Sequence, residues 1–402
     1  MEQKERILRI CDEVREISKS EENTAIMERW RPSGEDVSVT QGSSVWHGVP
    51  YVPLTGNSIV PYTIDPELSV WGTIIGFDPA RYYQEPLYYL ENHLKIKIER
   101  YRMFKDDSYV STAVPIFIGV DLEPSMFGVK SIYMPGKDPA LDSHDPVVCT
   151  KEDIDNLEMP DFYNSGIMPK VHRYYQQISE ILPDDFSVIF PTWGRGPWGN
   201  AQHIMGFENL MTATIENPSM IHRLMEFLVK CQTKWLSDRA EFLGIPVGAG
   251  VMYNDEVNCQ LYSSEVYEKF IYPYETLVTN NQNGITYWHS CGNASPIIRF
   301  VKQLKGLRLF DVSPWTDWET AAKQLRDTSI ALEVRMHPTK DVLLADEAAI
   351  RAKIARVREV FTGFPVTVRA DGLGMLSSID KDLPKMLRWC SIADEMLHPA
   401  NN

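Results

Sequence analysis

The chain has 402 residues, 44% of them apolar and 24% charged, which suits a folded globule with a large core. Its formal net charge of -15 argues against nucleic acid or an anionic membrane surface as a main partner, and no run is apolar enough to span a bilayer. Six scattered cysteines (Cys11, Cys149, Cys231, Cys259, Cys291 and Cys390) make no disulfide framework in a chain of this size, so a reducing cytoplasm is the expected setting.

The N-terminal stretch MEQKERILRICDEVREISKS places Ile7, Ile10, Val14 and Ile17 at helical spacing and lacks the apolar core of a signal peptide. Residues 20 to about 165 are rich in Pro, Trp, Tyr and turn signals. A long helical stretch from about Pro79 to Phe104 interrupts them, and TAVPIFIGV at 112–120 is a strand candidate. From about Pro169 the texture becomes regular. Strands are predicted at 186–193, 247–253, 284–290, 307–313, 329–335 and 364–370, with helical stretches between them that open on Asn, Ser or Asp and in three cases close at Gly. This alternation predicts an α/β fold, a (β/α)8 TIM barrel with an irregular N-terminal extension. The expected organisation is a single domain over 1–402, with 1–110 a helical or irregular extension packed on the barrel. A doubly wound sheet is the alternative, but neither G-x-G-x-x-G after a strand nor G-x-x-x-x-G-K-[ST] occurs.

In such a barrel the reactive residues sit at the C-terminal ends of the strands. His289 and Cys291, in ITYWHSCGN, follow one of them. Residues two apart in an extended segment point to the same side. Imidazole and thiolate both suit zinc, whose catalytic sites hold three protein ligands and leave a position open. The plain alternative is a satisfied strand-end histidine beside a small buried cysteine. For a third ligand Asp371 is the first choice, a hard oxygen donor after the last strand. Glu256 and Cys259 are others, while Cys390 reads as helix core.

Asp255 and Glu256, after the strand GVMY, are candidate catalytic carboxylates or merely turn and N-cap residues. Arg195, Arg335 and Arg369, with Trp193 and Asn254, are candidate substrate-binding residues. The three arginines equally fit ion pairs with Asp255, Asp311 and Asp371, and His337 reads as structural. Trp193, Trp198, Trp288 and Trp315 flank strand ends, and Trp46 lies in the irregular part. They suit either core packing or a mouth that takes a flat apolar partner.

The run SSEVYEKFIYPYETLV…GITYWHSCGN resembles a region of the uroporphyrinogen decarboxylase superfamily, and so does GRGPWGNAQHIMGFENLMTATIENPSMIHRLMEFL. NDEVN stands where that superfamily has an acidic pair, and the likeness covers about Val188 to Asp380. The resemblance implies a TIM barrel. The true decarboxylases carry an N-terminal Trp-Met-Arg-Gln-Ala-Gly-Arg run that has no counterpart here; MERWRPSGED at 27–36 only approaches it. The H-x-C pair is similar to the zinc motif of the corrinoid-dependent methyltransferase branch. That likeness implies His289 and Cys291 as zinc ligands, with methyl transfer between a corrinoid protein and a thiol such as coenzyme M, or tetrahydrofolate. The branch's second cysteine near the last strand is replaced by VRADGLG, which makes Asp371 its substitute. The chain has no D-x-H-x-x-G motif, so the corrinoid is expected on a partner protein. The expectation is a cytoplasmic zinc methyltransferase working with a corrinoid protein and a small methyl donor or acceptor, by default as a homodimer. The alternatives are a metal-free decarboxylase or lyase acting on a carboxylated substrate through the strand-end arginines and Asp255, and a non-catalytic corrinoid or tetrapyrrole carrier.

Overall fold

A parallel strand covered by helices must be apolar on its outer face, and short β-branched or aromatic runs supply that face here. The computed structural model describes residues 2–30, 59–134, 136–142 and 145–398. Trp46 and most of the 27–36 stretch fall outside them. The strands used below are β1 (Tyr62–Pro66), β2 (Ala113–Pro115), β3 (Ser187–Ile189), β4 (Gly250–Tyr253), β5 (Ile285–His289), β6 (Leu309–Val312), β7 (Ala331–Met336) and β8 (Val366–Leu373). Each predicted strand contains or overlaps one of β2 to β8.

Six of them form one sheet in the order β1-β8-β7-β6-β5-β4, with every pair parallel. β2 and β3 form a separate parallel pair. The segment after β3 joins the two, because Arg195 bridges to Tyr253 and the Tyr253 amide donates to the Gly194 carbonyl at 2.8 Å. Among the described residues no ladder joins β1 to β2. The sheet is therefore a parallel half-barrel within an α/β fold, and a ring closed through eight strands is not part of the described pairing.

Alternation along the strands sorts the interior. Trp288, Phe310, Leu332, Val334 and Val368 point outward into the main core beneath the helices. Val251, Tyr287, Leu309 and Ala331 point inward and form a small apolar layer of their own. The next inward positions, toward the strand ends, are His289, Asp311 and Glu333, followed by Arg335 on β7.

Two departures from the predicted elements have local causes. The helix expected over 79–104 is split into Pro79–Tyr82 and Pro86–Phe104, because Pro86 lacks an N–H and starts a new helix at its first turn. The segment 1–110 is not wholly an extension on the barrel. Its residues Tyr62–Pro66 form β1, which lies in the sheet beside β8. Pro61 and Pro66 disguise that strand as loop, yet the Pro61 carbonyl still accepts from the Val368 amide at 2.9 Å. The longest helix, Pro218–Leu243, ends at Gly244 with φ +66, a conformation glycine adopts without a Cβ penalty. No helix among the described residues is long and apolar enough to cross a membrane.

Candidate metal centre

β5 turns Tyr287 and His289 into the lumen, and the chain then bends through Ser290 to present Cys291. Two bonds hold the bend: the Ser290 hydroxyl donates to the Val257 carbonyl at 2.6 Å and accepts from the Gly292 amide at 2.9 Å. A Cβ at Gly292 would lie 2.5 Å from that of Asn258, so only glycine lets this loop close on the one after β4. From that second loop comes Asp255, positioned by the Asn254 amide donating to the His289 carbonyl at 2.8 Å.

The result is a convergence of three different donors. Asp255 Oδ1 lies 2.9 Å from His289 Nε2, and Cys291 Sγ lies 3.5 Å from the same nitrogen. All three ligand atoms fall within 4.8 Å of one another. An imidazole nitrogen, a thiol sulfur and a carboxylate oxygen are the ligand types zinc takes, and three of them leave a coordination position open. The donor set fits that ion.

The far side of His289 is equally specified. Its Nδ1 lies 2.8 Å from Asp311 Oδ2 and 3.0 Å from the Tyr287 hydroxyl. Asp311 is fully buried and its carboxylate also accepts from Arg335 Nε at 2.9 Å and the Ser290 amide at 3.2 Å. A carboxylate held there keeps a proton on Nδ1 and points Nε2 toward Asp255 and Cys291, so that Nε2 is the nitrogen that would give up its proton to a metal. Burial pulls the His289 pKa down, but the charges of Asp311, Cys291 and Asp255 outweigh it and hold the ring well above the usual histidine range. Burial likewise pushes the Asp255 carboxyl up, and His289, Cys291 and Arg195 overcome that to hold it well below the usual carboxylate range.

The other expected site residues divide clearly. Asp371, the first choice for third ligand, is instead gripped by Arg335 Nη1 at 3.2 Å and approached by Arg369 Nη2 at 3.6 Å; the oxygen donor beside His289 is Asp255. Glu256 points away from the triad and pairs with Arg195 and with His203 Nε2, the latter at 2.6 Å. Cys259 is half-buried outside the triad, and Cys390 is buried as core. Arg335 is committed to Asp311 and Asp371, and Arg369 to Asp65 at 3.0 Å and Glu333 at 3.4 Å. All three arginines are in ion pairs, Arg335 with the expected Asp311 and Asp371, but Arg195 with Glu256 in place of Asp255 and Arg369 chiefly with Asp65 and Glu333. His337 caps the turn Pro338–Leu343 by accepting from the Thr339 amide at 3.2 Å, a structural role.

Asn254 and Trp193 do not reach a substrate space. Asn254 is fully buried and donates to Glu275 at 2.7 Å. Trp193 is buried edge-on against Phe127 and Trp235. Trp198 and Trp288 are wholly buried too, so of the four strand-end tryptophans three are core packing and Trp315 is exposed. The phase of the strand explains Trp288: with His289 inward, its neighbour must face the helices.

Residues the sequence reading passed over complete the lumen. Tyr287 donates to Glu333 at 2.6 Å, and Asp65 on β1 joins Arg100 to Arg369. Their signal was the spacing inside ALEVRM, where Glu333 and Arg335 share one face of a strand otherwise apolar. A cavity of about 310 Å³ opens against the triad, bordered by Asp255, His289, Arg195, Arg369 and Asp371.

An α/β fold with a parallel half-barrel, and Asp255, His289 and Cys291 brought together at its C-terminal strand ends, is the class defined by these observations. The chain belongs to the uroporphyrinogen decarboxylase (URO-D) family, whose sequence model matches residues 91–372. Among solved structures, a methyltransferase from Methanosarcina mazei shares the fold with a TM-score of 0.60 at 16% identity, over 85% of this chain and 95% of that one. No curated protein sequence matches the chain.

Proposed function

We propose that this protein is a zinc-dependent methyltransferase that passes a methyl group between a corrinoid carried by a partner protein and a small donor or acceptor. The observation that carries the reading is the convergence of Asp255, His289 and Cys291 at the C-terminal strand ends. Membership of the URO-D family and the shared fold with the Methanosarcina mazei methyltransferase support it. The half-barrel and the β2–β3 pair are read as parts of one (β/α)8 ring, with Asp255 in place of Asp371 as third ligand. When bound, zinc supplies a Lewis acid that favours the thiolate form of a coordinated thiol.

The chain's own residues do the rest. Asp311 and Tyr287 fix the imidazole, and Arg335 fixes Asp311, so the Nε2 direction is set before any ligand arrives. A reducing cytoplasm keeps Cys291 as a thiol. The partner has a surface to meet. Val120 follows β2, Leu261 β4, Trp315 β6, Leu344 β7, and Met375 and Leu376 β8; all six are exposed on the loops of one face. The decarboxylase alternative requires arginines available to substrate carboxylates, and Arg195, Arg335 and Arg369 are all engaged by protein carboxylates.

Elemental analysis of the purified chain tests the reading. We expect about one zinc per chain in the wild type and in Asp371→Asn, and its loss in Cys291→Ala and Asp255→Ala. Zinc retained in both of the latter variants, or absent from the wild type, overturns it.

A further inference from the structure

Asp255 owes its place to the residue before it. The Asn254 amide donates to the His289 carbonyl, and the Asn254 carbonyl accepts from the Val257 amide, both at 2.8 Å. The Asn254 side chain is wholly buried and held at both tips. Its Nδ2 donates to Glu275 Oε1 at 2.7 Å, and its Oδ1 lies against Gly196, where a Cβ would come within 2.0 Å of it. Main chain and side chain are therefore clamped together, and Asp255 leaves from that clamp.

The far end of the clamp is placed by an irregular helix. Glu275 is fully buried, no cation pairs with it among the described residues, and the groups turned toward it are the donors Tyr267, Trp288 and Asn254. Its Oε2 accepts from the Tyr267 hydroxyl at 2.5 Å. Tyr267 and Glu275 are eight residues apart, which sets them roughly 80° apart around a regular helix. The π-helical turn Tyr267–Ile271 removes that offset. Its Tyr272 amide reaches back five residues to the Tyr267 carbonyl, and the extra residue brings the two side chains within about 20° of one face.

A buried carboxyl is costly unless its oxygens are satisfied, and here both are. Burial raises its pKa to about 7, so both protonation forms are populated near neutrality. The bond to Asn254 survives in each. The Tyr267 hydroxyl rotates and can accept a proton from Oε2, whereas Asn254 Nδ2 can only donate. The added proton therefore sits on Oε2, and Oε1 goes on accepting from Asn254.

We propose that Glu275 is a positioning residue for the metal centre: through Asn254 it fixes the backbone that aims Asp255 at His289 and Cys291. The proposal rests on the metal reading above for the role of Asp255 as a ligand. The anchoring of Asp255 beside His289 follows from the contacts alone.

Two readouts test it: zinc affinity by competition with a chromophoric chelator, and the nitrogen NMR signals of the His289 ring in the metal-free chain, identified by their loss in His289→Gln. Glu275→Leu removes both acceptors, so zinc binding should weaken about 10–100-fold. The Nε2 signal should shift in the same variant as Asp255 Oδ1 leaves its 2.9 Å contact. Glu275→Gln offers an oxygen to Asn254 and an N–H to Tyr267, as the protonated carboxyl does, and should restore both readouts. Val278→Ala leaves a void on the same helix away from Asn254, so it should lower stability and move neither readout. Adding Glu275→Leu to Asn254→Ala should weaken zinc no further than Asn254→Ala alone. If Glu275→Leu does not fold, Asn254→Ala cuts the same hydrogen bond from its other end and is read in its place. Zinc affinity unchanged in the variant read, Glu275→Gln as weak as Glu275→Leu, or losses that multiply in the double variant overturns the proposal. A wild type without zinc sinks the metal reading alone. The positioning of Asp255 then stands if the Nε2 signal shifts in Glu275→Leu and returns in Glu275→Gln, and falls if it does not.

Discussion

On β5, Trp288 faces the helices while Tyr287 and His289 face the lumen, and the two sides are stabilised in different ways. Trp288 is wholly buried and stacks on Phe310 with ring centroids 5.5 Å apart, an arrangement that needs only shape and apolar surface. Across the same backbone, His289 depends on Asp311, Asp311 on Arg335, and Arg335 on Asp371. A charge moved from water into that lumen loses several kcal/mol of solvation, which only its partners offset. The outer face therefore tolerates loss of volume by degrees, whereas the inner face fails as a set. The site is built on the face whose geometry has the least freedom.

Asp311→Ala should break the comparison most forcefully. It removes the carboxylate that Arg335 Nε and His289 Nδ1 share, leaving Arg335 with Asp371 and Nδ1 with the Tyr287 hydroxyl, so we expect a loss of roughly 3 kcal/mol in denaturant unfolding. Zinc affinity should fall about 10–100-fold as well, because the imidazole is no longer oriented. A stability change under about 1 kcal/mol would show that the lumen is not a set. On the outer face, Leu332→Ala should cost about 3 kcal/mol by leaving a void, with zinc affinity unchanged. Coupled loss of stability and zinc there would erase the distinction between the faces.

Glu275 sharpens the comparison, since it is a carboxyl buried without an opposite charge. Burial raises its pKa from 4.5 to about 7, against hydrogen bonds from Tyr267 and Asn254 that pull it down. The folded chain thus holds a proton that the unfolded chain has released. The contribution of Glu275 to stability is greatest below about pH 4.5, declines as pH rises toward about 7, and is fully reduced above it. Glu275→Gln should therefore change little near pH 4 and add on the order of 2 kcal/mol at pH 8, read as urea midpoints at the two pH values. An equal effect at both would refute the assignment.

The strands of the second half were legible because strand ends, turn residues and helical spacing agreed along that stretch. His289 and Cys291 stood out for the same reason, lying two apart after a strand. Which carboxylate joins them was not legible. Asp255 is 34 positions from His289, and its approach depends on the Asn254 amide meeting the His289 carbonyl across two strands. Asp371 has equal claim from its place after the last strand, but two arginines that share its face capture it. For the tryptophans core packing and the mouth were both open, although for one of them the choice lay in the same five residues: once His289 is set inward, alternation sends Trp288 outward. β1 stayed hidden because its flanking prolines carry turn statistics, while the carbonyl of Pro61 remains free to pair.

That pairing of β1 with β8 has a consequence in time. Thr367 Oγ1 donates to the Pro61 carbonyl across 306 positions, and Arg369 reaches Asp65 across 304. At roughly 5–20 residues per second of synthesis, about 15–60 s separates the emergence of one strand from that of its neighbour. Through that interval the counter-charge for Asp65 among the described residues is Arg100, and the β1 edge exposes backbone donors and acceptors to whatever strand comes first. The sheet's last seam closes only when the chain is nearly complete, and until then β1 is an unpaired strand edge open to wrong partners.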